Sequence, residues 1–273
     1  MISQNQIVIK NIGKKSILAD VSFLGNATNK PVVIFCHGYK GFKDWGAWNL
    51  VADYFAKEGF VFFKFNFSHN GGSIEIPIDF PDEDAFGKNT YSLELDDLNQ
   101  VLNYVELNFA GSQIYVIGHS RGGGIATLVT GQDQRIAKLA TWAAVSDFES
   151  RFPKGQELAL WKKNGVRHVI NGRTKQSLPH NYSFYEDFVK NKSRLTISKW
   201  CKEIKVPHLI VHGELDEAVP LSEAKELQKV NSGSKVFFLE TNHTFNTKHP
   251  WNKQVLSNDL EIVCSETCLF FKD

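Results

Sequence analysis

The 273-residue chain is short of several things that would each mark a different kind of protein. It has one methionine, eight prolines and four cysteines, and its formal net charge is +1. Near-neutrality leaves no global pull towards nucleic acid or an anionic membrane surface. No apolar run is long enough to span a bilayer, and the apolar stretch within Met1 to Lys10 is too short for a signal peptide, so a cytoplasmic location is expected. The cysteines follow no zinc-ligand spacing. Cys36 lies in an apolar strand, whereas Cys264 and Cys268, four apart near the end, would share one helix face as reduced thiols. No metal, no cofactor, no internal repeat and no low-complexity tract is expected. What remains is 42% hydrophobic and 22% charged, a balance that builds one sizeable core.

Strand-like and helix-like segments alternate along that chain, which predicts an α/β fold with a mostly parallel sheet between helices. An opening antiparallel hairpin is expected from Ile7 to Ile12 and Ser16 to Leu24, turning through Gly13-Lys14-Lys15. Strands follow at Pro31 to Cys36, Phe60 to Phe67, Gln113 to Ile117, Lys138 to Val145, Pro207 to Val211 and Lys235 to Leu239. Helices are expected at Asp44 to Glu58, Ser92 to Leu107, Ser222 to Val230 and Asn258 to Phe271. Between Asp147 and about Trp200 the alternation breaks. A short helix within Ser150 to Lys163 precedes Val166 to Ile170, Asn171-Gly172 and Arg173 to Ser177, which read as a β-hairpin with a type I′ turn. The expected division is 1–147 and 201–273 as core, with 148–200 as a small cap inserted over the sheet. Residues 149–199 carry 11 Lys or Arg against 4 Asp or Glu. The loop after the fourth strand is acidic, with Glu75, Asp79, Asp82, Glu83, Asp84, Glu94, Asp96 and Asp97 against Lys88. The two segments are expected to face each other or to solvate their own surfaces; a cationic lid for anionic substrates is the other reading.

The chemistry gathers around Gly118-His119-Ser120-Arg121-Gly122. This G-x-S-x-G run lies between an apolar strand and a small-residue helix, the context of a nucleophile elbow. The serine of an elbow takes a strained backbone, and glycines on either side remove side chains that would collide. A serine hydroxyl needs a base within hydrogen-bond reach, and the base needs an acidic partner. In the chain order Ser, acid, His, the choice of acid is Asp216, in the loop after the penultimate strand, with Glu214, Glu217 and Asp147 as rivals. The choice of base is His243, directly after the last strand, with His249 behind it. His37, His119 and His212 sit beside glycines at strand ends and read as shaping turns. Oxyanion donors are expected from the backbone N–H of Arg121 and from His37-Gly38-Tyr39-Lys40-Gly41, where the N–H of Tyr39 is the choice. The Tyr39 hydroxyl is a weaker candidate for reaching the site. Asn70-Gly71-Gly72-Ser73 lacks the Gly-Lys-Ser/Thr ending of a phosphate loop and reads as a turn at the pocket rim.

With these pieces placed, the chain resembles the α/β-hydrolase superfamily over nearly its full length. The matching spans, in order, are Cys36 to Asp44, Gly118 to Gly123, His212 to Pro220 and Asn242 to Phe245. It looks like the small bacterial esterases and acyl-peptidase-like hydrolases related to cinnamoyl or feruloyl esterases, which carry an insertion after the sixth strand. Trp161, Asn171-Gly172-Arg173-Thr174 and Phe184-Tyr185-Glu186-Asp187-Phe188 look like that type of cap. The resemblance implies an eight-stranded sheet and cleavage of a small-molecule carboxylic ester through an acyl-serine intermediate without a cofactor. An amidase or aminopeptidase-like activity uses the same triad and is the alternative; a non-catalytic binding protein on the same fold is the third reading. Aromatic side chains of the cap, Phe152, Trp161, Tyr182, Phe184 and Tyr185, either line an acyl pocket or form the cap's own core. Neither nucleic acid nor membrane is an expected partner, and a homodimer is compatible with the reading.

Overall fold

A computed structural model describes residues 1–10 and 15–273. Strand β1 (Ile2–Ile9) pairs antiparallel with β2 (Ile17–Leu24), as expected for an opening hairpin, but β1 starts five residues before the expected Ile7; most of the connection, residues 11–14, lies outside the described residues. The chain continues through β3 (Val32–Cys36), α1 (Trp48–Lys57), β4 (Val61–Phe65), α2 (Glu83–Lys88), α3 (Tyr91–Asn108), β5 (Ile114–His119), α4 (Arg121–Thr130) and β6 (Ile136–Trp142). A 3-10 turn (Glu149–Arg151), α5 (Gly155–Asn164), β7 (Val166–Ile170), β8 (Ser177–Asn181), α6 (Ser183–Lys190), α7 (Lys192–Leu195) and α8 (Ile197–Glu203) follow. The chain then returns to the sheet with β9 (His208–Gly213), α9 (Leu221–Val230), β10 (Lys235–Leu239) and α10 (Asn258–Lys272). The main sheet has eight strands in the order β1-β2-β4-β3-β5-β6-β9-β10, parallel from β4 to β10.

The central strands are buried on both faces, which is why they read as unbroken apolar runs. In β3 the pleat sends Val32, Ile34 and Cys36 into one core and Val33 and Phe35 into the other. The same alternation splits β5 into Ile114 and Val116 on one side and Tyr115 and Ile117 on the other. All four cysteines are buried and free, and no helix among the described residues is long and apolar enough to cross a membrane.

One polar cluster interrupts this core. Lys64 of β4 and Lys43 are both buried, and each makes ion pairs of 2.5 Å with Asp20 and Asp44. Two cations against two carboxylates leave no uncompensated charge, the condition for burying any of them. The cluster also sets the start of α1, which begins four residues later than the expected Asp44. The Asp44 side chain is drawn into the ion pairs, and Gly46 takes φ +58°, outside the helical range.

The insertion between β6 and β9 differs from expectation in its hairpin. Strands β7 and β8 pair Ile170 with Ser177, so residues 171–176 connect them and the second strand lies further along than Arg173 to Ser177. Asn171 makes no two-residue type I′ turn. Its side-chain oxygen accepts from the Arg173 N–H (3.0 Å), and Lys175 takes the left-handed conformation at φ +62°. The register that results buries Leu178 and His180 while Pro179 and Asn181 are only partly covered. The acidic loop also holds a helix, α2, capped by the Asp82 carboxylate accepting the Ala85 N–H (2.9 Å). Six residues are too few for a periodic signal, and tertiary contacts hold such a helix; Phe86 packs on Phe80 and His180.

The basic and acidic segments do meet. Arg173 pairs with Asp79, and Arg194 pairs with Asp96 (2.5 Å). Beneath these rim contacts, Phe152, Trp161, Phe184 and Phe188 join the same apolar core as β3, β5 and α4.

Candidate active site

The turn from β5 into α4 leaves little freedom. Ser120 has φ 56° and ψ −121°, a conformation that costs of order 1–3 kcal/mol for a residue with a side chain. Its surroundings hold it there. The Ser120 N–H donates to Trp142 O (2.9 Å), and its carbonyl accepts from Gly123 (3.0 Å) and Val145 (3.3 Å). A Cβ on Gly118 would lie 2.5 Å from Gly122 O, and one on Gly122 would lie 2.4 Å from the carbonyl oxygens of Cys36 and His37. A Cβ on Gly38 would meet the Ser120 Cβ at 2.9 Å, so the loop after β3 reaches the serine only because that position is glycine. Ser120 Oγ therefore stands at the carboxyl edge of the sheet beside the first turn of α4, whose leading N–H groups have no partner within the helix.

Asp216, in the loop after β9, and His243, after β10, come to this point from sequence positions 96 and 123 residues away from Ser120. His243 Nε2 lies 3.0 Å from Ser120 Oγ, and its Nδ1 lies 2.7 Å from Asp216 Oδ2. The other carboxylate oxygen of Asp216 accepts the N–H groups of Ala218 and Val219, both at 2.8 Å. Burial alone would raise the Asp216 pKa. The hydrogen bond and charge of His243 and the Val219 N–H outweigh it, so the carboxyl sits below its ordinary value and stays ionised. His119 is held neutral, its pKa lowered to about 3 by burial and then by His243. Its Nε2–H donates to the His243 carbonyl (3.0 Å) and so braces the loop that carries His243.

The rival residues have other partners. Asp147 accepts the N–H groups of Glu149 (3.0 Å) and Ser150 (2.9 Å), while Glu214 and Glu217 are exposed. His249 Nδ1 accepts the Gly46 N–H (2.9 Å). His37 and His212 bond backbone groups at strand ends, as read from their glycine neighbours: His37 bonds Gly38 O (2.8 Å) and the Phe67 N–H (3.2 Å), and His212 donates to Val219 O (2.8 Å). Asn70 braces the loop after β3, donating to Gly41 O (3.2 Å) while it accepts the Gly72 N–H (3.0 Å). Among the described residues no group of three or more His, Cys, Asp or Glu is arranged to hold a metal.

Ser120 and His243 border two cavities. The smaller, about 250 Å³, lies against Trp45, Trp48, Asn171 and Thr244. The larger, about 400 Å³, extends under the insertion between Tyr91, Phe148, Phe152 and Phe184. Of the five aromatic residues expected in the insertion, Phe152 and Phe184 line this cavity; Tyr182 and Tyr185 instead pack on Trp161, with ring centroids 5.5 and 6.4 Å away. The Tyr39 hydroxyl is taken up by His180 Nε2 (2.7 Å). Arg121 is of interest for its side chain as well as its N–H. The guanidinium pairs with buried Glu94 (3.2 Å) and lies 4.1 Å from the centre of the Tyr39 ring. No local pattern announces these contacts, because Arg121, Glu94, Tyr39 and His180 come from four distant elements.

Comparison with known proteins agrees with this architecture. Residues 31–163 match the family model described as alpha/beta hydrolase fold. Monoacylglycerol lipase ABHD6 of Mus musculus is 24% identical, the match covering 80% of this chain and 71% of the lipase. Among solved structures, Est1E from Butyrivibrio proteoclasticus with ferulic acid bound superposes with a TM-score of 0.74 at 18% identity, over 97% of this chain and 98% of Est1E. A putative hydrolase from Agrobacterium vitis gives 0.73 at 17% identity, covering 99% of each chain. The protein has the α/β-hydrolase fold. The chain is similar to esterases in structure and to a monoacylglycerol lipase in sequence.

Proposed function

We propose that this protein is a serine hydrolase that cleaves carboxylic esters through an acyl-serine intermediate. The observation that carries the reading is the hydrogen-bond chain Asp216–His243–Ser120, at 2.7 and 3.0 Å, opening onto two cavities. Ser120 Oγ attacks the ester carbonyl while His243 Nε2 takes its proton. The Asp216 carboxylate orients the imidazole through Nδ1–H and stabilises its cation. The developing oxyanion is received by the backbone N–H groups of Tyr39 and Arg121, each such donor contributing about 3–4 kcal/mol of transition-state stabilisation. His243 then protonates the leaving alkoxide. Water, deprotonated by the same imidazole, attacks the acyl-serine and releases the acid. One cavity takes each half of the ester, and residues 148–200 serve as a cap that closes the larger one.

The relatives called esterase and lipase favour a leaving alcohol over a leaving amine. A fluorophosphonate probe tests the nucleophile: wild type is expected to be labelled, Ser120→Ala is not, and labelling of both or neither would remove the mechanism. On p-nitrophenyl esters, Ser120→Ala and His243→Ala are each expected to lower kcat by about 10³-fold or more. p-Nitroanilides of the same acids, run alongside, separate ester from amide cleavage.

A further inference from the structure

Four cationic side chains border the larger cavity: Lys40, Arg121, Arg151 and Arg167. Two have carboxylate partners. Arg121 pairs with Glu94, and Arg151 pairs with Glu223, which also accepts the Ser146 N–H (2.7 Å). Among the described residues, neither Lys40 nor Arg167 has an ion pair with a carboxylate. Lys40 Nζ donates to the Ile170 carbonyl (3.1 Å). Arg167, on β7, lies with its guanidinium carbon 4.6 Å from the centre of the Trp161 ring, and its Nε is buried without a hydrogen-bond partner. Trp161 is itself fixed, donating its indole N–H to His180 O (2.8 Å). A guanidinium supported on an indole face keeps its donors arranged for a planar, two-oxygen acceptor. The same surplus of positive charge acts on His180 beside it. Burial first, then Arg121, Arg167 and Lys40, lower its pKa to about 3, so it adds no further cation.

Building on the serine-hydrolase reading, we infer that the larger cavity takes the half of the ester that carries a carboxylate, and that Arg167, with Lys40, is the specificity-determining group that receives it. The cavity's aromatic wall accommodates the methylene chain between the carboxylate and the ester group, and Arg167 and Lys40 receive the far end. Exposed lysines of the insertion are not needed for this; the charge that matters borders the cavity.

The test compares two graded series with their neutral methyl esters: p-nitrophenyl half-esters of dicarboxylic acids from malonate to adipate, and acetyl esters of hydroxy acids of matching length. The first places the carboxylate on the acyl side and the second on the alcohol side. Wild type is expected to favour the carboxylated member at least tenfold in kcat/KM in one series at one length. Arg167→Gln is expected to bring that ratio to near unity through KM, and Arg167→Glu to invert it. Because the ratio is read within each variant, a general loss of folded enzyme does not move it. Neutral esters cleaved with no carboxylate preference in either series, or a ratio unchanged in Arg167→Gln, overturns the inference and leaves the hydrolase reading standing. If no ester is cleaved at all, the hydrolase reading falls. Arg167 is then judged by binding: glutarate raising the melting temperature of wild type but not of Arg167→Gln supports the anion site, and no such difference overturns it.

Discussion

The elbow at the end of β5 and the insertion between β6 and β9 face the same serine but are held by different physics. Around Ser120 the fit is backbone against backbone, with no room for one added carbon at Gly118, Gly122 or Gly123. At the rim of the insertion the links are partly exposed ion pairs, Arg173–Asp79, Arg194–Asp96 and Lys192–Glu149, over an aromatic layer. Close backbone packing admits one solution, so it fixes reaction geometry. Side-chain links of low individual worth admit many, so that region is free to differ in what it binds. Under the proposed function, catalytic position and substrate choice fall to regions held by these two different kinds of contact.

Acid sharpens the contrast most. His37, His119 and His208 of the sheet body have pKa values lowered to about 4, 3 and 3, and His180 of the insertion to about 3, all with burial as the leading cause. These folded values lie below the ordinary value of 6.5, so the unfolded chain binds more protons between pH 6.5 and about 3. Stability is complete above 6.5 and is lost as pH falls through that window. Each histidine contributes a slope of about 1.4 kcal/mol per pH unit, and chemical denaturation near pH 5 is expected to report uptake of at least about four protons on unfolding, because burial also lowers His212 and His249. His180→Gln should remove one of them. Uptake of one proton or fewer in wild type would show that the buried histidines do not titrate as described.

Next in size is Gly122→Ala, which drives a methyl group into two carbonyl oxygens at 2.4 Å. A loss of about 3 kcal/mol or more is expected from urea unfolding, with fluorophosphonate labelling falling in whatever protein stays folded. Full stability and labelling would break the contrast from the elbow side. The smallest effect is expected for Arg173→Ala at the rim. Its partly exposed pair with Asp79 should contribute less than about 1 kcal/mol. A loss comparable with that of Gly122→Ala would break the contrast from the other side.

The same difference explains what was legible beforehand. The parallel strands of the main sheet and the approach of Ser120, Asp216 and His243 follow from apolar runs, glycine spacing and order along the chain, because a parallel sheet returns each loop to the same edge, whereas Ser3 to Gln6 of β1 are polar and lie ahead of its expected span. The hairpin of the insertion was misplaced because Asn171-Gly172 carries a strong local turn signal that the burial of Leu178 and His180 overrides. Helix α2 went unread because it depends on Phe86 finding Phe80 and His180 rather than on any pattern of its own.

Sequence alone determined the α/β alternation, the sharp turn at Ser120 and the candidates for acid and base. Those depend on local backbone chemistry and on the lengths and spacing of apolar runs, both written in nearby residues. Tertiary structure alone decided that Asp147 and His249 are engaged elsewhere, that Lys43 and Lys64 are neutralised inside the core, and that Arg167 lines the same cavity as Ser120 with no carboxylate ion pair among the described residues. A charge takes its meaning from the partners it meets across the fold, as Lys43 and Lys64 do from Asp20, and such partners are set by the packing of distant elements.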